Sequence, residues 1–150
     1  MNSCPYAIAD LLPHAAPMVL LDRVTAWDDL GVTASLTIGP ETRFVEPGLG
    51  VPAHVGIEWM AQACGAFAGL RGNAAGEPVR MGFLLSTRDF TAEVSWFALG
   101  QTLAISARQV FHEDGMAVFD CQIDAGAGAV ARARLTVFQP ADGHSNEEMT

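Results

Sequence analysis

The segment from Pro52 to Arg71 constrains this chain most, because it is apolar on nearly every side of a predicted helix. The segment is rich in alanine, carries glycine at 56, 65 and 69, and has no run of β-branched residues. Pro52 suits a first helical turn and Gly72–Asn73 suits a C-terminal stop, which predicts a helix roughly 30 Å long. We expect this helix to be buried along most of its length, with a neighbour packed close to its backbone.

Period-two alternation of apolar and polar residues predicts strands on both sides of this helix. Residues 1–16 are predicted to form a loop and a short turn. The predicted strands are Met18–Trp27, 32–38, Val79–Val94, Gln101–Glu113, Met116–Ala125 and Val130–Gln139. This order indicates an α+β domain in which an antiparallel sheet curls around one long helix. A single sheet covers only part of such a helix, so a second copy or a partner subunit is expected to bury the rest.

Composition and charge exclude several classes of protein. The 150 residues suit one domain, with flexible ends at 1–7 and 141–150. The net charge is −9 and the eight basic residues are all arginine, which argues against nucleic acids and anionic membranes as partners. The longest apolar stretch is interrupted by His54, Glu58 and Gln62, so we expect no membrane span.

The three cysteines, at 4, 64 and 121, form no CxxC motif and are odd in number. They predict free thiols in a reducing compartment, and hence a cytoplasmic protein. We expect no metal and no cofactor.

Polar residues at helical spacing interrupt the apolar helix. His54, Glu58 and Gln62 share one stripe with Ala61 and Gly65. Glu58 is either a functional proton shuttle or a buried structural acid. Gln62 suits a hydrogen bond across a helix interface, and His54 suits a partly exposed position near the helix start. Unpaired backbone N–H groups near Val55 and Gly56 are candidates to polarise a carbonyl oxygen.

Five sequence blocks, in order, resemble the hotdog-fold 3-hydroxyacyl-[acyl-carrier-protein] dehydratases. They are LLPHAAPMVLLDRV (11–24), VPAHVGIEWMAQACGA (51–66), GFLLSTRDF (82–90), FALGQTL (97–103) and ARARLTVFQP (131–140). The resemblance spans about residues 8–140 and is greatest to the aryl-polyene-cluster branch, the ApeP-like dehydratases. It implies a dimer whose active site lies between subunits, where an acid on one central helix faces a histidine from the other subunit's loop. It also implies a substrate carried on the phosphopantetheine arm of an acyl carrier protein.

The resemblance gives roles to particular residues. Glu58 takes the position of the acid that handles the departing C3 hydroxyl, and Gln62, Val55 and Gly56 are candidates for substrate binding. The family's catalytic histidine corresponds to Phe44, and the loop 40–50 contains no histidine. Either His54 therefore withdraws the C2 proton, or a partner subunit supplies the base. His14 is expected to shape the N-terminal loop.

The predicted function is dehydration of a 3-hydroxyacyl thioester to the trans-2-enoyl thioester, in fatty-acid or aryl-polyene biosynthesis. The chain would act in a homodimer or as one subunit of a dehydratase pair. The alternatives are a hotdog acyl-CoA thioesterase and a non-catalytic partner subunit of an active dehydratase. Arginines are expected to form a docking surface for the acidic carrier protein, the candidates being Arg71, Arg80, Arg88, Arg132 and Arg134.

Overall fold

The computed structural model describes residues 3–12, 19–77 and 82–139. The predictions for the C-terminal end at 141–150, for the role of His14 and for the position of Arg80 lie outside the described residues. Within them, the chain forms two helices and eight strands: α1 (Ile8–Leu11), β1 (Arg23–Trp27), β2 (Gly31–Thr37), β3 (Val51–Pro52), α2 (Gly56–Ala74), β4 (Phe83–Ala92), β5 (Trp96–Phe97), β6 (Thr102–Glu113), β7 (Met116–Asp124) and β8 (Ala129–Phe138).

Six of these strands form one antiparallel sheet in the order β1-β2-β6-β7-β8-β4. Alternation places Ala131, Ala133 and Leu135 of β8 in the core, while Arg132 and Arg134 between them are exposed on the opposite face. The core lies between this sheet and α2. The predicted α+β arrangement, with one long helix against an antiparallel sheet, is therefore confirmed.

The central helix is shifted from its predicted bounds at both ends. Pro52 has extended backbone and pairs with Trp96, and Ala53–Val55 form a 3-10 turn, so the α-helix begins only at Gly56. At the other end the helix runs through Gly72 and Asn73 to Ala74. The left-handed residue that follows is Gly76, with φ of 73°, which suits glycine because a side chain there would be strained.

Small residues of α2 allow close packing, as the sequence predicted. A Cβ atom at position 69 would collide with the backbone carbonyl of Leu11, which brings α1 against this helix. A Cβ atom at position 56 would lie 2.8 Å from Cδ1 of Ile123 on β7. Trp59 packs on Phe97 with ring centroids 4.9 Å apart, and Phe67 meets Phe119 edge-on at 5.7 Å.

One face of α2 remains uncovered in the isolated chain. Glu58 is exposed and Ile57, Ala61, Gly65 and Ala68 are half-buried, whereas Trp59, Met60, Ala63 and Phe67 are buried. The sheet therefore covers only part of the helix, as expected from a single layer. No helix in the described part of the chain has the length and apolar character needed to cross a bilayer.

Two strand predictions need correction. The strand predicted from Met18 begins only at Arg23. Before it, the N–H of Leu20 donates to the side chain of Gln62 on α2 and not to a neighbouring strand. The two-stranded ribbon β3–β5 was not predicted from the sequence. Two residues per strand are too few to show a period.

Candidate functional site

A groove of about 570 Å³ runs along the uncovered face of α2. The helix provides one wall, and the inner faces of β6, β7 and β8 with the start of β4 provide the other. Glu58, Ala61, Gln62, Gly65 and Ala68 line it from the helix, and Leu84, Ala117, Phe119 and Val137 line it from the sheet. The middle of the groove is apolar, and small side chains line its helix wall. The groove therefore suits an extended acyl chain.

Glu58 lies in the first turn of α2. The side chain is exposed, and among the described residues no hydrogen bond or ion pair engages it. The hypothesis of a buried structural acid is therefore wrong for the isolated chain. The carboxylate instead opens into the groove, where it can reach a bound molecule.

His54 does not join Glu58 in the groove. It lies in the 3-10 turn Ala53–Val55 and is exposed, and it is not among the residues that line the cavity. The predicted shared stripe assumed α-helical spacing from Pro52 onward, whereas a 3-10 turn has about three residues per turn and rotates His54 away from that register. The stripe is confirmed for Glu58, Ala61, Gln62 and Gly65.

Gln62 is buried, with 4% of its surface exposed, and borders the groove. Its Oε1 accepts a hydrogen bond of 2.8 Å from the backbone N–H of Leu20. This bond joins the segment before β1 to the central helix, as expected for a hydrogen bond across a helix interface. A role of Gln62 in substrate binding remains a prediction.

Val55 and Gly56 are buried at the start of α2. The N–H of Gly56 donates to the carbonyl oxygens of Ala53 and His54 within the 3-10 turn. The expectation that this N–H is an unpaired donor is therefore wrong, because the tighter turn before the helix uses it. The binding role predicted for these two residues stays a prediction.

The groove also has a polar end that the sequence analysis did not single out. Gln109 and His112 on β6 border it beside the C-terminal part of α2, far from Glu58 along the helix. The side chain of Arg71 lines the same end, where its guanidinium donates to the carbonyl of Asp29 at 2.8 Å and lies 5.9 Å from the ring centre of Phe67. The sequence feature that could have indicated this polar end is the Asp114–Gly115 turn, which brings β7 back beside β6.

The cysteines are free, as predicted. Cys64 borders the groove, and its Sγ lies 3.8 Å from that of Cys121 on β7. Burial, and then the hydrogen bond to Cys121, raise the pKa of the Cys64 thiol well above its usual value. A buried neutral thiol of this kind is a packing group and a poor nucleophile.

Of the described candidate docking arginines, Arg88, Arg132 and Arg134 share one sheet face and Arg71 lies apart from them. Arg132 and Arg134 share the sheet face opposite α2, and Arg88 lies opposite Arg134 in register. Arg134 holds Asp120 through two hydrogen bonds of 2.7 and 3.1 Å, and this raises the pKa of Arg134. Arg108, not foreseen from the sequence, lies opposite Asp120. Arg71 faces the groove instead. In the described residues, no cluster of histidine, cysteine or acidic side chains could hold a metal ion.

Comparison with known proteins decides the family of this chain. The family model of the ApeP-like proteins, described as ApeP dehydratase, matches residues 6–149. The chain belongs to the ApeP-like dehydratase family. A solved structure, the dehydratase heterocomplex ApeI:P from Xenorhabdus doucetiae, is similar at 26% identity and a TM-score of 0.89, covering 98% of this chain and 99% of that one.

More distant structures share the fold alone. A hypothetical thioesterase with coenzyme A from Streptococcus pneumoniae matches at 16% identity and a TM-score of 0.62, covering 78% of this chain and 84% of that chain. The PaaI protein of E. coli matches at 13% identity and a TM-score of 0.60, covering 77% of this chain and 80% of that chain. These neighbours confirm the hotdog fold expected from the sequence. A search of curated proteins finds no match.

Proposed function

We propose that this dehydratase-family chain removes water from a 3-hydroxyacyl thioester and yields the trans-2-enoyl thioester. The observation that carries the proposal is the carboxylate of Glu58, which opens at one end of an apolar groove along α2. A proton donor at the mouth of an acyl-sized groove is the arrangement that loss of a C3 hydroxyl requires. Membership of a family described as dehydratase supports the reaction class.

The reaction needs an acid and a base. In the proposed mechanism Glu58, in its protonated form, gives a proton to the departing C3 hydroxyl, which leaves as water. A base removes a proton from C2, and the electron pair of that C–H bond forms the new C2–C3 double bond. The acid and the base must lie on either side of the substrate, so that the C3 hydroxyl can receive a proton and C2 can lose one while the substrate stays in a single position.

We propose that the base is missing from this subunit, since the histidine that lines the groove, His112, borders its polar end and not the end at Glu58. His54, the candidate within the chain, lies outside the groove, and the loop 40–50 that precedes β3 carries no histidine. We therefore propose that a homologous dehydratase subunit supplies the base and covers the open face of α2. The similarity to a chain of a dehydratase heterocomplex supports such a pair.

We further propose that the substrate arrives on the phosphopantetheine arm of an acyl carrier protein in the cytoplasm. Small side chains at Gly65 and Ala68 leave room along the helix wall, which suits an extended chain attached at the Glu58 end. The family resemblance suggests fatty-acid or aryl-polyene biosynthesis as the setting.

A second candidate is a non-catalytic subunit that completes the tunnel of an active homologue. The absence of histidine from the loop 40–50 favours it. In that case the partner would contain a complete acid–base pair of its own, and Glu58 would be dispensable. The thioesterase alternative rests only on neighbours that share the fold.

One experiment separates these functions. The pure chain, the homologous subunit and their mixture are each incubated with a 3-hydroxyacyl carrier-protein substrate, and enoyl product and free acid are both measured. Enoyl product from the mixture, lost when the mixture contains Glu58→Gln, supports the proposal. Full activity of the Glu58→Gln mixture makes this chain the non-catalytic subunit, and release of free acid makes it a thioesterase.

A further inference from the structure

The loop between β2 and β3 holds an aromatic residue in an unfavourable backbone conformation. The described non-glycine residues with positive φ are Phe44 at 69°, Asp89 at 55° and Asp114 at 52°. Aspartate tolerates this left-handed region because its short side chain can bond locally, whereas a bulky residue there is strained. Such strain persists where the surroundings impose it, and it is common at functional sites.

The hydrogen bonds of the loop impose this conformation. The N–H of Thr42 donates to Gly39 at 3.1 Å, and that of Val45 donates to Thr42 at 3.2 Å, on either side of Phe44. The Thr42 hydroxyl accepts from the N–H of Gly39 at 2.7 Å. The loop is closed by Glu46, whose N–H donates to the carbonyl of Gly50 at 2.7 Å. The backbone at Phe44 is thus held in place.

The Phe44 side chain is only partly buried within the chain itself. Phe44 is 48% exposed, and its neighbour in the same loop, Leu49, is 53% exposed. The guanidinium of Arg43 lies 5.4 Å from the ring centre, which is a contact on the surface and does not bury the ring. Leu99, 41% exposed, belongs to the segment after β5 that Gly50 abuts. A strained backbone therefore presents an exposed aromatic ring, in a loop that exposes Leu49 as well.

We propose that Phe44 is the anchor by which this chain docks into an apolar pocket of its homologous dehydratase subunit. The inference rests on the proposed function, which supplies that subunit as the occupant. Pre-organised aromatic side chains that fill a pocket are typical interface hot spots, because little conformational freedom remains to be lost on binding. Phe44 and Leu49 are apolar side chains exposed in one loop, and such side chains suit a protein pocket better than the charged surface of an acidic carrier protein. The loop also leads directly into β3 and α2, whose open face needs the same partner.

Replacement of Phe44 by glycine separates docking from folding. Glycine adopts positive φ without strain, so Phe44→Gly should keep or raise the melting temperature of the isolated chain. The same variant should weaken the heterodimer with the co-expressed homologous subunit at least about 10-fold, measured by sedimentation or biosensor titration. Phe111→Gly would be a poor control for Phe44→Gly, because glycine within a strand is itself destabilising. The matched pair of variants is therefore Phe44→Ala and Phe111→Ala. Both phenylalanines are 48% exposed, and only Phe44→Ala should weaken the complex.

The outcomes distinguish this inference from the proposed function. If Phe44→Gly and Phe44→Ala bind the partner as the wild type does while the mixture dehydrates substrate, the anchor is refuted and the function stands. If the wild-type chain forms no complex with the homologous subunit, both proposals fail. A variant that weakens only association between copies of this chain overturns the choice of occupant. A fall in melting temperature of Phe44→Gly would show that the loop conformation serves the fold.

Discussion

At the scale of single residues, Glu58 is the side chain on which the proposed chemistry depends. Glu58→Gln should lower dehydration by the heterodimer roughly 10²-fold or more, because the amide cannot donate the proton needed by the leaving hydroxyl. Since Glu58 is exposed and makes no contact by hydrogen bond within the described chain, the melting temperature should not fall. Glu113→Gln, the same change at an exposed position on β6, is the control and should leave turnover unchanged.

His54 belongs to the same scale, and the structure changes what is expected of it. Because it lies outside the groove, His54→Ala and His54→Asn should both retain dehydration in the heterodimer. Loss of enoyl product in both variants, with normal assembly and melting temperature, would instead make His54 the base that withdraws the C2 proton. His112→Asn tests the histidine that does line the groove and should also retain turnover, since His112 borders the polar end of the groove and Glu58 the opposite end.

Residue spacing predicted part of the site and local backbone decided the rest. Glu58 and Gln62 were found because four residues separate them on a helix, and both border the groove. The engaged N–H of Gly56 and the orientation of His54 depend on a 3-10 turn that the composition of residues 53–55 does not reveal. The positive φ of Phe44 follows from hydrogen bonds on both sides of the residue, and a phenylalanine gives no sign of it in sequence.

At the scale of elements, the close approach of α1 to α2 makes a sharp prediction about glycine. Gly69→Ala should destabilise the fold by about 1–3 kcal/mol, because the new methyl group meets the carbonyl of Leu11. That loss opposes the higher helix propensity of alanine, which alone would stabilise the helix by up to about 1 kcal/mol. Denaturant unfolding measures the difference.

Gly65→Ala is the control on the same helix. Its added methyl group would lie 3.2 Å from Cδ2 of Leu12, the end of a flexible side chain that can rotate away. We expect this variant to be neutral or stabilising. Equal destabilisation by both changes would show that the contact with Leu11 is not what requires glycine at 69.

The elements themselves followed from the sequence to the extent that they are long. The strands β6, β7 and β8 start and end within one residue of their predicted bounds, because each has enough residues to display period two. The helix was recognised from its composition, but its start was placed too early, since Pro52 suits both a first helical turn and an extended residue. The ribbon β3–β5 pairs residues that are distant in sequence, Val51 with Phe97 and Pro52 with Trp96, and no local pattern encodes such a pairing.

At the scale of the whole molecule, the open face of α2 predicts association. The chain should form a stable heterodimer with its homologous subunit that buries on the order of 1,000 Å² or more. Light scattering at micromolar concentration measures the mass of each subunit and of the mixture. A mixture that contains only separate monomers would contradict the prediction.

The distribution of charge over the molecule gives the last prediction. The net charge is −9. Even so, half of the eight arginines lie on or beside one sheet face, together with Asp89, Asp120 and Asp124. These arginines are Arg88, Arg108, Arg132 and Arg134. An acidic carrier protein that approaches this molecule is repelled in general and attracted at this surface.

Arg132→Glu should therefore slow carrier association and weaken its dependence on salt, because long-range steering acts on the association rate and is screened within about 10 Å at 0.1 M salt. Arg23→Glu makes the same change of charge on β1, at the other edge of the sheet, and should have the smaller effect. Stopped-flow association of carrier-linked substrate, compared with turnover of the matching coenzyme A thioester, provides the measurement. If both substrates respond identically to Arg132→Glu, this sheet face does not dock the carrier.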